Sequence, residues 1–375
     1  MSTAQRTTVV VVGAGQAGLS AGYFLRRHGL QPGSGFVILD HAPRSGGAWQ
    51  HRWPSLTLQT ANAVHDLPGL PLDHSRPQIQ AATAVPEYYA QYEREFGLDV
   101  RRPVHVREVA REGDGFLVRA DIGEFACAGV LNATGTWEKP FWPRYPGADL
   151  FAGRQLHAHD YREPEEFAGQ RVLVVGAGVT GVQLLVELSR LSETTWATRR
   201  EPVFRDGPFT PELGRAAVAV VEDRVRRGLP PGSVVSVTGL MWTPELREAK
   251  ARGVLDRLPI FQRLTPTGVA WEDGTTLDVD AILWCTGFRA NLDHLAPLRL
   301  RSPGGGITMT GRLATQVAAE PRVHLLGYGP SASTIGANRA GRAAVAELLG
   351  ALAATSATAP DSPATSPSPD TAARG

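Results

Sequence analysis

The stretch TTVVVVGAGQAG, residues 7–18, joins a short aliphatic run to a glycine-rich turn. The run has the length of a buried parallel strand, and the residues after the turn show the apolar spacing of a helix over 17–28. A second stretch, RVLVVGAGVTG at residues 171–181, repeats the pattern before a helix over 179–189. A strand, a Gly-x-Gly-x-x-Gly turn and a helix begin a dinucleotide-binding unit. Two such units predict an α/β protein with two Rossmann-like dinucleotide-binding domains.

The first unit continues into an acidic residue at the end of its second strand. A strand is predicted at residues 36–39, and Asp40 follows it, about 20 residues after Gly18. A carboxylate at this position accepts hydrogen bonds from a ribose 2′-hydroxyl. The alternative is an unengaged surface aspartate at a strand end.

The second unit continues into basic residues instead. Its next strand is predicted at residues 194–198 and is followed by Arg199 and Arg200. Arginine at this position can pair with a ribose 2′-phosphate, which a carboxylate would repel. NADPH is therefore favoured over NADH at the second turn. The alternative is a solvated basic pair beside Glu201.

The bulk composition excludes several classes of protein. A length of 375 residues favours roughly two to three domains. Lys+Arg 38 against Asp+Glu 37 gives a net charge of +1, whereas a nucleic-acid-binding surface needs a surplus of cations. No run reaches the ~18 apolar residues of a membrane-spanning helix, and the amino terminus lacks the basic region of a secretion signal. We expect a soluble cytoplasmic protein with no nucleic-acid or membrane partner.

The chain has only two cysteines, Cys127 and Cys285, which lie far apart in the sequence. They form no Cys-x-x-Cys redox pair, and no cysteine-rich zinc site can be built from them. Both thiols are expected to be small buried apolar groups.

Outside the two units the predicted elements are shorter. An irregular stretch rich in Trp, Pro and Gly over residues 46–72 is expected to be an ordered functional loop. Beyond residue 352 the chain consists almost only of small and polar residues and should be disordered. Helices are predicted at 85–96, 213–227 and 336–349, and strands at 100–109, 116–120, 130–133, 268–271, 276–279, 281–284 and 323–326.

The most specific string is FAGRQLHAHDY, residues 151–161, between the two units. Its spacing Phe-x-Gly-x-x-x-His-x-x-x-Tyr resembles the fingerprint of class B flavin-containing monooxygenases. Further segments agree with that family, namely GGAW at 46–49, ATGTW at 133–137 and CTGF at 285–288. The resemblance extends over about residues 8–350, and several motifs in order are far more specific than one glycine turn.

This resemblance implies an FAD-binding domain, residues 1–150 plus 290–352, interrupted by an NADPH-binding domain over residues 151–289. The tail over 353–375 stays outside both. NADPH would reduce FAD, and the reduced flavin would react with O2 to form a C4a-hydroperoxide that oxygenates a small molecule. This scheme requires no metal.

The resemblance also assigns roles to residues of this chain. Asn62 lies in the region of a family asparagine that hydrogen-bonds near the flavin and is the one catalytic candidate, although the surrounding spacing departs from the family's and the chemistry belongs mainly to the flavin. His157 has no identifiable carboxylate partner and is expected to position the cofactors. The expected cofactor-binding residues are Gly13, Ala14, Gly15, Gln16, Ala17, Gly18, Asp40, Gly47, Trp49, Thr134, Gly135, Phe151, Gly153, His157, Tyr161, Gly176, Gly178, Val179, Thr180, Gly181, Arg199, Arg200, Thr334 and Ile335.

The end of the fingerprint narrows the substrate class. Tyr161-Arg162 resembles the branch that oxygenates soft nucleophilic centres such as sulfur or nitrogen, whereas the Baeyer-Villiger branch ends in Trp. One alternative is an NADPH-dependent flavin reductase that passes electrons to a quinone or another acceptor. A flavin disulfide reductase of the thioredoxin-reductase kind would need two cysteines beside its flavin, and a scaffold without chemistry would not need the fingerprint. Substrate identity and oligomeric state stay open.

Overall fold

The computed structural model describes residues 4–61, 64–207, 210–232 and 238–357. Asn62 and most of the predicted tail lie outside the described residues. The helices are α1 (Gln16–Arg27), α2 (Ala81–Glu95), α3 (Val179–Leu188), α4 (Pro211–Arg226), α5 (Pro244–Ala251) and α6 (Thr334–Ala357), with short 3-10 helices at Gly47–His51, Pro164–Phe167, Asp293–Leu298 and Gly329–Ser331.

The strands are distributed unevenly between these helices along the chain. They are β1 (Gln5–Arg6), β2 (Val9–Val12), β3 (Phe36–Leu39), β4 (Val100–Arg101), β5 (Val106–Glu112), β6 (Gly115–Ala120), β7 (Gly123–Cys127), β8 (Gly129–Asn132), β9 (Arg154–His157), β10 (Arg171–Val175), β11 (Glu193–Thr198), β12 (Phe204–Arg205), β13 (Leu240–Met241), β14 (Arg257–Pro259), β15 (Arg263–Thr265), β16 (Gly268–Ala270), β17 (Thr276–Asp278), β18 (Ala281–Trp284), β19 (Met309–Thr310), β20 (Gln316–Val317) and β21 (Glu320–Leu325).

A seven-stranded sheet in the order β19-β20-β21-β8-β2-β3-β4 carries the first glycine turn at the end of β2. The strands from β21 to β4 run parallel. All four valines of β2 are buried because both faces of the sheet are covered. Val9 and Val11 pack with α1 and α6, while Val10 and Val12 pack with the four-stranded sheet β1-β7-β6-β5. Burial on both faces explains the uninterrupted aliphatic run.

A five-stranded parallel sheet in the order β14-β11-β10-β18-β9 carries the second glycine turn at the end of β10. Residues of β10 pack with α3 on one face and with the antiparallel strands β15-β16-β17 on the other. The edge strand β9 comes from the fingerprint segment, with Arg154 opposite Ala281 and His157 opposite Trp284. No strand was predicted there, since the pairing partner β18 lies far along the chain.

The structure confirms the α/β class and the two strand-turn-helix units, with several differences in detail. The strand predicted at 100–109 is divided into β4 and β5, because Pro103 lies between them and proline has no N–H to donate. Helix α6 continues to Ala357, past the start of the tail predicted at 353. Strand β7 and helix α5 were not predicted.

The second sheet is inserted into the first along the chain. Strand β21 joins the first sheet beside β8, although all strands of the second sheet lie between them in sequence. The domain boundaries given above stay a prediction. Within the four described segments, none of the helices combines the length and apolarity needed to cross a membrane.

Candidate functional site

The three glycines of the first turn have different surroundings. Gly13 has a φ of +98°, and a Cβ there would lie 2.6 Å from the Ala133 carbonyl oxygen. A Cβ on Gly18 would lie 1.9 Å from the Gly13 carbonyl oxygen. A Cβ on Gly15, the N-cap of α1, would meet nothing within 4 Å. Two glycines therefore serve packing, and Gly15 alone faces open space at the start of the helix.

The second turn repeats this arrangement. Gly176 has a φ of +132°, and a Cβ there would lie 2.3 Å from the Cys285 carbonyl oxygen. A Cβ on Gly181 would lie 2.9 Å from the Gly176 carbonyl oxygen, while one on Gly178, the N-cap of α3, would meet nothing within 4 Å. Each turn thus leaves the start of a helix accessible, which is the geometry of a phosphate-binding site.

A cavity of about 670 Å³ lies at the first turn. Of the predicted cofactor-binding residues, those that line it are Gly13, Ala14, Gly15, Gln16, Ala17, Asp40, Gly47, Trp49, Thr134, Gly135 and Thr334. Gly18 packs behind the turn, and Ile335 is 48% exposed and is not part of the cavity wall. Thr334 faces the cavity because it begins α6, whereas the next residue points away.

Asp40 is a buried carboxylate at the wall of this cavity, 4% exposed. Its Oδ2 accepts a hydrogen bond from Arg102 Nε at 3.0 Å. The same guanidinium donates to both carboxylate oxygens of Glu93, at 2.7 and 2.8 Å. Arg102 therefore fixes the orientation of Asp40. No motif in the sequence pointed to this partner, which follows β4 in the chain.

A polar network holds the first turn against the start of α6. Gln16 Nε2 donates to the His65 carbonyl oxygen at 3.1 Å and to Asn338 Oδ1 at 2.9 Å. The buried Tyr89 hydroxyl donates to Gln16 Oε1. His65 Nδ1 lies 2.9 Å from Thr334 Oγ1. These bonds place the amino-terminal end of α6 at the cavity.

Aromatic side chains form the opposite part of the wall around Trp137. Its ring stacks on His51 at 5.8 Å and on Phe288 at 5.1 Å between centroids. The guanidinium carbon of Arg52 lies 4.7 Å from the Trp137 centroid and 5.6 Å from that of Trp49. All five side chains line the cavity. Of them, only Trp49 was predicted.

The fingerprint residues lie in the core and are not part of the cavity wall. A Cβ on Gly153 would lie 2.3 Å from the Phe151 ring and 2.5 Å from the Asp280 carbonyl oxygen. Tyr161 is 1% exposed, and its hydroxyl donates to Glu187 Oε1 at 3.2 Å. Phe151 and Tyr161 pack in the core beside the second sheet, and the cofactor-binding role of the fingerprint residues stays a prediction.

Comparison with known proteins identifies the family. The family described as pyridine nucleotide-disulphide oxidoreductase matches residues 10–213. A flavin-containing monooxygenase from Stenotrophomonas maltophilia is 39% identical, with a TM-score of 0.79 over 93% of this chain and 99% of that protein. The chain belongs to the flavin-containing monooxygenases, within the pyridine nucleotide-disulphide oxidoreductase family. It is an oxidoreductase that uses FAD and NADPH.

Two curated relatives extend this comparison. An uncharacterized oxidoreductase, CzcO, of Bacillus subtilis is 29% identical over 75% of this chain and 81% of its own length. The senecionine N-oxygenase of Tyria jacobaeae is 24% identical over 80% of this chain and 61% of its own length.

The two cysteines of this flavin monooxygenase lie in different sheets and cannot form a dithiol. Cys127 ends β7, Cys285 follows β18 beneath the second glycine turn, and both are free thiols. Burial raises the pKa of each thiol to about 12. The chain therefore has no cysteine pair of the kind that a dithiol-disulfide exchange within one protein requires. In the described segments, no group of three or more His, Cys, Asp or Glu side chains could hold a metal.

Arg199 and Arg200 lie at the end of β11, next to the second glycine turn in the sheet. Both are exposed. Across the part of the chain that the structure describes, neither guanidinium forms an ion pair. The predicted pair is thus available to a phosphate.

His157 is fully buried, and burial lowers its pKa to about 4, with a smaller contribution from His159. The unfolded chain therefore binds a proton that the folded state excludes, and stability falls as the pH drops from about 6.5 to about 4. We expect His157→Asn to flatten this dependence by about 1.4 kcal/mol per pH unit. The asparagine Oδ1 can still accept from the His159 N–H, as His157 Nδ1 does at 3.0 Å.

The measurement is urea unfolding between pH 4 and pH 8. His28→Asn, at an exposed position after α1, is the matched control and should leave the slope unchanged. A slope that His157→Asn leaves at its original value would show that the pKa of this histidine is not lowered by folding.

Proposed function

We propose that this chain is an FAD-dependent monooxygenase that uses NADPH and O2 to oxygenate a soft nucleophilic centre, a sulfur or a nitrogen, of a small molecule. The observation that carries the proposal is the presence of two dinucleotide turns without a dithiol beside either. Electrons that reach the flavin have no protein disulfide to reduce. In flavin-containing monooxygenases the acceptor of these electrons is O2. The named activity of the senecionine N-oxygenase falls in the same class.

The first turn and its cavity fit FAD. Gly15 leaves room for a pyrophosphate at the start of α1, where free N–H groups and the helix dipole attract negative charge. Asp40, held by Arg102, would accept hydrogen bonds from the ribose hydroxyls. Bound FAD would supply hydride acceptance from NADPH and electron transfer to O2.

The chain's own residues would shape the reacting end of the cavity. Trp49, Trp137 and Phe288 present apolar rings that exclude water. Exclusion of water protects a reactive oxygen species from unproductive decay. The start of α6 at Thr334 brings the positive end of a helix dipole to the same space, which favours negative charge there.

The second turn would hold NADPH. Gly178 leaves the start of α3 open for the pyrophosphate. Arg199 and Arg200 would bind the 2′-phosphate. The fingerprint strand β9 would set the position of this second site relative to the first, since it fills the edge of the second sheet.

The test follows product, O2 and NADPH together in the FAD-loaded enzyme. We expect a simple thioether or tertiary amine to yield its oxide, with one atom of ¹⁸O from ¹⁸O2 for each NADPH oxidised. Mass spectrometry of the product and absorbance of NADPH measure the ratio. NADPH oxidation that quinones accelerate, with no ¹⁸O in any sulfide or amine product, would establish the alternative function of an NADPH-dependent flavin reductase.

The proposed substrate, compartment and partners of the enzyme follow from the same features. The substrate is a small molecule, and the separate free thiols are typical of a reducing cytoplasm. Neither nucleic acid nor a membrane is proposed as a partner.

A further inference from the structure

The FAD cavity contains a cation that its surroundings leave unsatisfied. Arg52 lines the cavity, and its Nε is buried without a hydrogen-bond partner. Within the described residues no carboxylate forms an ion pair with the guanidinium. Its neighbours are the rings of Trp49 and Trp137, which attract a cation by their faces but offer no acceptor to its N–H groups.

Arg52 is half-buried, and a cation with a buried N–H that has no acceptor is costly, so its presence needs an explanation. Burial lowers the pKa of Arg52 to about 10, which leaves the group charged at neutral pH. Buried charges in proteins are paired or serve a ligand. Arg102, another arginine with little exposure, follows the first rule through its ion pairs with Asp40 and Glu93. Arg52 has no such ion pair within the described residues, and it lines the cavity in which a ligand would lie.

We propose that Arg52 is the anion-binding residue of the cavity, and that its guanidinium receives a planar, delocalised anion through two parallel hydrogen bonds. The fork of N–H groups matches such an anion better than a point charge would. The tryptophan rings keep the fork in place before the anion arrives. This inference rests on the proposed function, because it takes the cavity as the FAD site.

Two sources can supply this anion. One is the pyrimidine part of FAD itself, which becomes a delocalised anion when the flavin is reduced. The other is the carboxylate of a substrate. Both anions would bind the same pair of guanidinium N–H groups. Removal of the arginine would change the flavin midpoint potential in the first case and the KM of the substrate in the second.

The first experiment uses the FAD-loaded enzyme without substrate, NADPH or O2. The flavin midpoint potential is measured against a reference dye for the native enzyme, Arg52→Gln and Arg52→Lys. If the flavin is the anion, Arg52→Gln weakens binding of the reduced form about tenfold, which lowers the potential by about 30 mV for a two-electron couple. Arg52→Lys should give a smaller shift in the same direction, because lysine keeps the charge and loses the fork.

The second experiment compares two thioethers that differ by one carboxylate, 4-(methylthio)benzoate and methyl phenyl sulfide. If the substrate supplies the anion, Arg52→Gln raises the KM of the carboxylate about 10- to 100-fold and leaves that of the neutral thioether unchanged. Arg76→Gln, at an exposed position before α2, is the control for both experiments and should change neither value.

The outcomes decide the proposal. A shift in potential alone assigns the anion to the flavin, and a shift in the KM of the carboxylate alone assigns it to the substrate. If Arg52→Gln does not retain FAD, Arg52→Lys decides, and native values in both assays overturn the proposal. The midpoint potential is measured without turnover. Its result is therefore valid even if the native enzyme forms no oxygenated product and the proposed function fails.

Discussion

Replacing Gly18 with alanine should leave the protein without bound FAD and strongly destabilised. The added Cβ would lie 1.9 Å from the Gly13 carbonyl oxygen and 3.0 Å from its carbon. Both are backbone atoms of the glycine turn, so no side-chain rotation can relieve the contact. Overpacking of this kind costs about 1–3 kcal/mol or more, and relief requires displacement of the turn itself. Urea unfolding and the ratio of flavin to protein absorbance measure the two effects.

Gly15→Ala separates the cofactor effect from the packing effect. Gly15 has a φ of −80°, and its added Cβ would meet nothing within 4 Å. We expect the stability of the apoprotein to change by less than about 0.5 kcal/mol, while FAD affinity falls because the methyl group occupies the space of the pyrophosphate. Gly350→Ala adds the same methyl group to α6 in open space and should retain FAD.

Each variant can contradict one assignment. If Gly18→Ala keeps native stability, the turn is more pliable than its contacts indicate. If Gly15→Ala binds FAD as tightly as the native protein, the pyrophosphate does not lie at the start of α1.

The parts of the site that the sequence predicts are those encoded by local spacing. The glycine turns and Asp40 are separated by fixed lengths of strand and helix, so their positions follow from the βαβ unit. The structure places Gly15 and Asp40 at one cavity, as that unit requires. The aliphatic runs of β2 and β10 predict buried strands for the same reason.

The parts that the sequence does not predict depend on contacts between distant segments. Arg52 resembles any other arginine in a polar loop until Trp137 is brought beside it from another part of the chain. Arg102 becomes a partner of Asp40 only when β4 pairs with β3. Strand β9 has weak alternation and gains its strand conformation from pairing with β18. Long-range packing decides these features and leaves no periodic signal in the chain.

The second large effect concerns the choice between NADPH and NADH. The double variant Arg199→Ala/Arg200→Ala should lower kcat/KM for NADPH by on the order of 100-fold and change that for NADH little. A hydrogen bond to a charged group contributes about 1.5–3 kcal/mol. NADPH would lose such bonds to its 2′-phosphate, whereas NADH has no 2′-phosphate and would lose none. Initial rates with both nucleotides, at two salt concentrations, measure the preference and its electrostatic part.

A second arginine pair provides the matched control for this prediction. Arg226 and Arg227 lie at the end of α4 and pair with Glu222 and Asp223. Their exposed guanidinium groups are thus already engaged, whereas those of Arg199 and Arg200 are free of ion pairs within the described residues. Arg226→Ala/Arg227→Ala should leave the nucleotide preference unchanged. Equal losses of kcat/KM with NADPH and NADH in the first double variant would refute the phosphate role. Such losses would show that the two arginines act on a part that both nucleotides share.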